Sequence, residues 1–469
     1  MRGPRSLGVV IKLGTSSIVD EKSHEPLLSV LSLIVETAVK LRKDGHKVII
    51  VSSGAIGVGL RRMDVEKRPK HLSQLQALAA IGQCRLMSLW DSLFNHLRQP
   101  IAQILLTRSD IADRSRYLNA KNTINELLDM GVIPIVNEND TLAVSEIKFG
   151  DNDTLSAITA AMVHADLLFL MTDVDCLYDK NPRTNPDAQP IEVVEDIGML
   201  VADGIFHILH HALTRLPVST AGSSLGTGGM STKIVAARLA TSAGVTTVIT
   251  RSSNPGNIVK IVKHIQASRS PASLVTQANA EDHQAEDPMS ASTVSLADLE
   301  PKIPLHTRFL PSPHPVRDRY FWILHGLRPH GTIYIDAGAY KALLGKAGLL
   351  PVGVVDVEGT FAQQEAVRIC VVEKRSTPCA DGKLWEGPAV EVGRALTNYA
   401  SGEIARIKGR QSSEVRKLLG YADSEYVADR ESISFTVRES RPATPVGHAT
   451  LEMRGAGGSE GEAGASTPS

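Results

Sequence analysis

Six short apolar runs punctuate the first 265 residues: LGVVIKLG, KVIIVSSGAIG, IAQILLTRSD, VIPIVNENDT, DLLFLMTDVD and VTTVITRS. Each is rich in Val, Ile or Leu, gives way to a polar or glycine-containing turn, and leads into a helical pattern. Near-continuous apolar strands are buried on both faces. Their alternation with helices predicts an α/β fold, a mostly parallel sheet sandwiched by helices. In such sheets ligands bind beyond the carboxyl ends of the strands. Those ends carry Lys12, Ser52-Ser53-Gly54, Asn137 to Asp140 and Thr172-Asp173. Their convergence says more than any one of them.

The pattern changes after the sixth run. From Gln266 to Pro304 the chain is rich in Ser, Ala and acidic residues and contains no aromatic residue, which predicts a disordered linker. Short strand patterns return in GTIYID, GVVDVEG and AVRICVV, so residues 305–437 are expected to form a second, smaller, β-rich domain. The low-complexity end, residues 438–469, is expected to be a disordered tail. The expected division is therefore 1–265, 266–304, 305–437 and 438–469.

Composition narrows the function classes. Lys and Arg number 50 against 51 Asp and Glu, a balance that argues against a chain whose main work is coating nucleic acid or an anionic membrane. The four cysteines, Cys84, Cys176, Cys370 and Cys379, show no C-x-x-C spacing, which disfavours a disulfide framework or a cysteine-rich zinc site. No apolar run approaches the ~20 residues of a membrane span. The few residues ahead of the first strand pattern do not resemble a secretory signal or transit peptide. A soluble, cytoplasmic protein is expected.

Among the candidates for chemistry, GTGGMSTK (Gly226 to Lys233) approaches a P-loop but fails it, with Thr232 before the lysine and Ile234 after it. Gly226, Gly228 and Gly229 lead instead into a helix start, where unsatisfied N–H groups favour an anion. Alone, the stretch reads equally well as a capped turn. Lys12 ends an apolar strand, where its ammonium needs an anion or a route to water. The densest polar cluster joins Asn137-Glu138-Asn139-Asp140 to Gly150-Asp151-Asn152-Asp153, and an N-cap accounts for only one of those acids. No Cys or acidic residue flanks His207, His210 and His211, so they read as a helical surface or loop. The basic run from Arg406 to Lys417 reads as a solvated face.

Taken in order, VVIKLGTSS, VIIVSSGAIGVG, ALAAIGQCRL, LLTRSDIADRSRYLNA, VIPIVNENDT, IKFGDNDTLSA, LLFLMTDVDCLYDKNPRTNP and GTGGMSTK resemble the amino acid kinase family. The likeness is strongest to its members that phosphorylate glutamate. YIDAGAYKALLGKAGLLPVGVVDVEGTF and YASGEIARIKGRQSSEVRKLLGY resemble a PUA domain. The resemblance implies ATP-dependent phosphorylation of the L-glutamate side-chain carboxylate, with Mg²⁺ arriving on ATP and no protein metal ligand assigned. It implies catalytic roles for Lys12, Lys233 and Asp153, and glutamate binding by Ser53, Asp140 and Asn152. It implies nucleotide contacts from Lys12, Thr172, Asp173, Thr227, Gly228, Gly229, Met230, Ser231, Thr232 and Lys233. Also implied are a homo-oligomer, proline as feedback inhibitor, and a product passed to a separate glutamyl-phosphate reductase. A weak RNA affinity of the PUA-like block is part of the same expectation. Cys176 stands where the family has glycine in the TDVDGLY turn.

Overall fold

The computed structural model describes residues 5–143, 152–180, 182, 185–195, 197, 229–268, 303–375 and 384–436. Most of the expected linker, the expected tail, and His207, His210 and His211 lie outside them. Among the described residues no helix is long and apolar enough to cross a membrane.

The first five apolar runs form strands β1 (Gly8–Leu13), β2 (Lys47–Ser52), β3 (Ile101–Leu106), β4 (Ile133–Glu138) and β5 (Leu167–Thr172). Three two-residue strands follow: β6 (Leu177–Tyr178), β7 (Pro190–Ile191) and β8 (Val193–Val194). The sixth run forms β9 (Thr246–Arg251). All six long strands are parallel, in the order β3-β4-β2-β1-β5-β9.

The period of two along a strand sorts residues between the faces. Val9, Ile11 and Leu13 join Ile50, Phe169 and Met171 in one core, whereas Val10 joins Ile49, Val51, Leu168 and Leu170 in the other. Lys12 has the parity of Val10. Over that second face lie the helices Asn152–Met162 and Met230–Ser242, which add Leu155, Ala157, Ile158, Ile234 and Ala236 to its core. Strand parity thus directs Lys12 toward the helices that carry Asp153 and Lys233.

The helix beyond β2, Ala55–Arg62, meets the helix Leu72–His96 backbone to backbone. A Cβ at Gly82 would fall 1.7 Å from the Ala55 carbonyl oxygen, and one at Gly59 would fall 2.1 Å from that of Leu78. Neither acceptor is a flexible side chain, so the helices would have to separate. Gly82→Ala is expected to cost about 1–3 kcal/mol, as overpacking typically does. Denaturant unfolding checks this, and an unchanged midpoint would contradict the close approach.

One strand departs from the pattern reading. Residues Thr307–Phe309, placed by sequence at the start of the second domain, form β10 inside the first sheet. β10 runs antiparallel to β9 and parallel to β8, completing an eight-stranded sheet. Thr307 holds the junction: its hydroxyl donates to the Ile191 carbonyl at 2.6 Å and accepts from the Leu177 N–H at 2.7 Å. Three residues without apolar alternation carry no period, and this strand is specified by tertiary contacts.

The C-terminal block is a second sheet, with GTIYID, GVVDVEG and AVRICVV supplying β11 (Gly331–Ile335), β12 (Val354–Gly359) and β13 (Ala366–Lys374). Two further strands, β14 (Trp385–Leu396) and β15 (Ile433–Phe435), give the order β12-β11-β13-β14-β15. It has its own core around Ile333, Ile335, Val367, Ile369 and Ile404. A π-helical turn, Trp322–Gly326, packs between the sheets, and its Trp322 Nε1–H donates to the Ile111 carbonyl at 3.0 Å.

Candidate active site

Asp153 stands in the first turn of Asn152–Met162, with no exposure to solvent. Both of its oxygens meet ammonium groups. Lys12 Nζ is in direct contact with Oδ1, and Lys233 Nζ lies 3.5 Å from Oδ2. The lysine side chains are 5% and 8% exposed, so this is a buried cluster rather than a surface ion pair. Thr232 adds its hydroxyl, 2.8 Å from Asp153 Oδ2. Burial pushes the Asp153 carboxyl up, but the ammonium groups of Lys12 and Lys233 and the hydrogen bonds from Lys12 and Thr232 outweigh it. The net shift is below the usual carboxylate range. One carboxylate facing two ammonium groups leaves a net positive charge at the carboxyl end of the sheet.

Lys233 lies in the first turn of Met230–Ser242, whose N-cap, Gly229, makes no side-chain capping bond. The leading N–H groups of such a helix favour an anion. Among the described residues, a Cβ built on Gly229 would meet no neighbour closer than Ser231 Oγ, at 3.9 Å. Gly229 itself is extended, with φ −118°, so glycine is not demanded there by backbone conformation. Thr227 and Gly228 lie outside the described residues. Thr172 closes β5, and its hydroxyl donates to Oδ1 of the next residue, Asp173, at 3.1 Å.

A second polar chain runs beside the lysines. The Asn152 amide donates to Ser53 Oγ at 2.7 Å and to Asn137 Oδ1 at 3.0 Å, while Asn137 donates to Gln83 Oε1 at 2.8 Å. Among the described residues, Asn152 Oδ1 is sealed from solvent without a hydrogen-bond partner. A buried carbonyl left unpaired is costly. Asp140 is half-buried in the turn beyond β4. Of the residues expected from sequence, the structure clusters Lys12, Asp153, Thr232 and Lys233, and separately links Asn152 with Ser53.

Sequence reasoning omitted Gln83 from the site and named Asn137 only within a polar cluster, without a role, although Asn137 is a buried polar residue at a strand end. It also omitted Arg251, which closes β9 and grips Asp175 with two bonds of 2.7 Å. Asp175 lies in the turn after β5, and nothing in the sequence pattern pairs it with Arg251. Cys176 is fully buried and does not have a positive φ, so its turn does not require glycine. Cys176→Gly is expected to leave the KM for ATP unchanged and to cost about 1 kcal/mol of stability, from lost packing and added chain entropy. A lowered KM for ATP would show that cysteine impairs the turn.

Residues 8–251 match the model of the amino acid kinase family, and residues 331–419 match that of the PUA domain. A Schizosaccharomyces pombe protein described as a probable glutamate 5-kinase is 52% identical over 426 residues, covering 90% of this chain and 92% of its own. An uncharacterized protein of Saccharomyces cerevisiae is 48% identical over 433 residues, 91% of this chain and 98% of its own. A glutamate 5-kinase from a Cyanothece species is 44% identical over 427 residues, with coverages of 91% and 98%.

Proposed function

We propose that this chain, which belongs to the amino acid kinase family and carries a C-terminal PUA domain, is a glutamate 5-kinase. It transfers the γ-phosphoryl group of ATP to the side-chain carboxylate of L-glutamate, giving L-glutamyl 5-phosphate for proline synthesis. What carries this reading is the pair of buried lysines held on one buried carboxylate, with an uncapped helix start beside them.

The chemistry needs such a site. With an unperturbed pKa of about 4.3, the glutamate side chain is already an anion at neutral pH, so no general base is required to make the nucleophile. The obstacle is the approach of two anions. One pair of unit charges at about 4 Å, with an effective dielectric near 20, repels by roughly 4 kcal/mol. Lys12 and Lys233 oppose that repulsion and stabilise the charge that spreads over the phosphoryl oxygens. Asp153 holds both ammonium groups in place, and the N–H groups opening Met230–Ser242 receive phosphate oxygens. Mg²⁺ accompanying ATP supplies further positive charge, held mainly by phosphates and water. Among the described residues no group of three His, Cys, Asp or Glu gathers to bind a metal.

Asn152 and Ser53 bind glutamate in this reading. The unpaired Asn152 Oδ1 accepts from the α-ammonium group, and the Ser53 hydroxyl, already accepting from Asn152, is free to donate to a carboxylate. Asp140 adds negative charge for the same ammonium group. Thr172 and Asp173 contact the nucleotide. The enzyme is cytoplasmic and oligomeric, is inhibited by proline at the glutamate site, and passes its labile acyl phosphate to a separate reductase. ADP release in the presence of L-glutamate, aspartate, N-acetylglutamate, carbamate and UMP tests the substrate. Glutamate alone is expected to support turnover, and preference for another acceptor would reassign the activity within the family.

A further inference from the structure

We propose that a phosphate-class oxyanion binds at the seam between the two sheets, held by Arg108, Arg328 and Arg394 beside His325. The four residues come from three parts of the chain. Arg108 opens the helix Arg108–Ala112 beyond β3, and Arg394 lies on β14. His325 lies in the π-helical turn, and Arg328 follows it. Two hydrogen bonds fix these parts together. Trp322 donates to the Ile111 carbonyl at 3.0 Å, tying the turn to the Arg108 helix, and Arg394 Nη1 donates to the Leu327 carbonyl at 3.1 Å. Ile111, Trp322, Leu327 and Leu396 share one core, so the cluster rests on packed rather than hinged structure.

Two of its three guanidinium charges have no ion-pair partner among the described residues. Among the described residues, Arg108 and Arg328 have no hydrogen-bond or ion-pair partner. Besides the Leu327 carbonyl, Arg394 meets Glu391, at 3.5 Å on the same strand. Among the described residues, His325 Nε2 is sealed from solvent with no hydrogen-bond partner. Burial lowers the proton affinity of Arg108, and Arg394 and Arg328 lower it further. Burial, followed by the charges of Arg394 and Arg108, pushes His325 down to about 3. Bringing cations together partly out of water is unfavourable unless an anion joins them. Guanidinium forks match phosphate oxygens in pairs, and the unpaired imidazole nitrogen adds one more polar contact. β3 is the edge strand, separated from β1 by β4 and β2, so this cluster is distinct from the lysines around Asp153.

Titration calorimetry of the full-length chain with inorganic phosphate tests the proposal, at constant ionic strength and with saturating ADP filling the nucleotide site. A phosphate-binding event insensitive to ADP is expected. It should weaken about tenfold in Arg108→Gln and in Arg328→Gln, as loss of a charge-assisted hydrogen bond implies. Arg328 is exposed, so its substitution leaves the fold intact even if Arg108→Gln does not fold. Arg61→Gln, on another exposed face, should bind as the parent does. A parallel titration with glycerol 3-phosphate distinguishes a phosphate ester from free phosphate by which binds more tightly. Absence of ADP-insensitive binding of either, or equal affinity in parent and Arg328→Gln, would overturn the proposal.

Discussion

Asp153→Asn is expected to lower kcat by about 10²–10³-fold, the range found when a group stabilising transition-state charge is lost. The substitution keeps the shape of the side chain and removes its charge. Lys12 and Lys233 then remain buried without their shared counter-ion, and their ammonium groups repel each other. Losing one partner of a buried ion cluster typically costs about 3–5 kcal/mol of stability. The variant should therefore unfold at lower temperature, and ATP should stabilise it more than it does the parent because phosphates supply the missing charge. The pH dependence has a defined sign. Asp153 titrates below its ordinary value of 3.8 in the folded chain, so its contribution is complete at higher pH and is lost as pH falls through the folded value. The stability gap between parent and variant should accordingly close in the acid range. A gap that persists there would mean that the carboxylate charge is not what stabilises the cluster.

Lys12→Ala and Lys233→Ala have the next largest expected effects, each reducing kcat about 10²–10³-fold while leaving circular dichroism unchanged. The two should differ in KM. Lys12 is fixed by strand pairing to both β2 and β5, so its loss acts mainly on the transferring group. Lys233 sits in the first turn of Met230–Ser242, which is proposed to receive phosphates, so its loss should also raise the KM for ATP. A near-normal rate in either variant would remove that lysine from the mechanism.

The large parallel strands were legible because a strand buried on both faces needs an uninterrupted apolar run, and no helix surface writes that pattern. Lys12 was conspicuous for the same reason, since it interrupts such a run. What escaped the pattern depends on contacts between distant parts of the chain. β10 has three residues and owes its place to Thr307 bonds with Ile191 and Leu177. Gln83 occupies an ordinary polar position on a helix, and only the folded chain brings it to Asn137. The seam around Trp322 was equally hidden, because its hydrogen bond to Ile111 spans 211 residues. GTGGMSTK, ambiguous by itself, acquires meaning from the arrangement that places Thr232 and Lys233 on Asp153.

Formation of glutamyl hydroxamate tests the central claim most directly. The folded chain, incubated with ATP, Mg²⁺, L-glutamate and hydroxylamine, is expected to yield the hydroxamate, because an acyl phosphate is trapped by that nucleophile. Yield should depend on both ATP and glutamate and should fall when proline is added. Folded protein that forms no hydroxamate, or forms it equally well with aspartate in place of glutamate, would contradict the account.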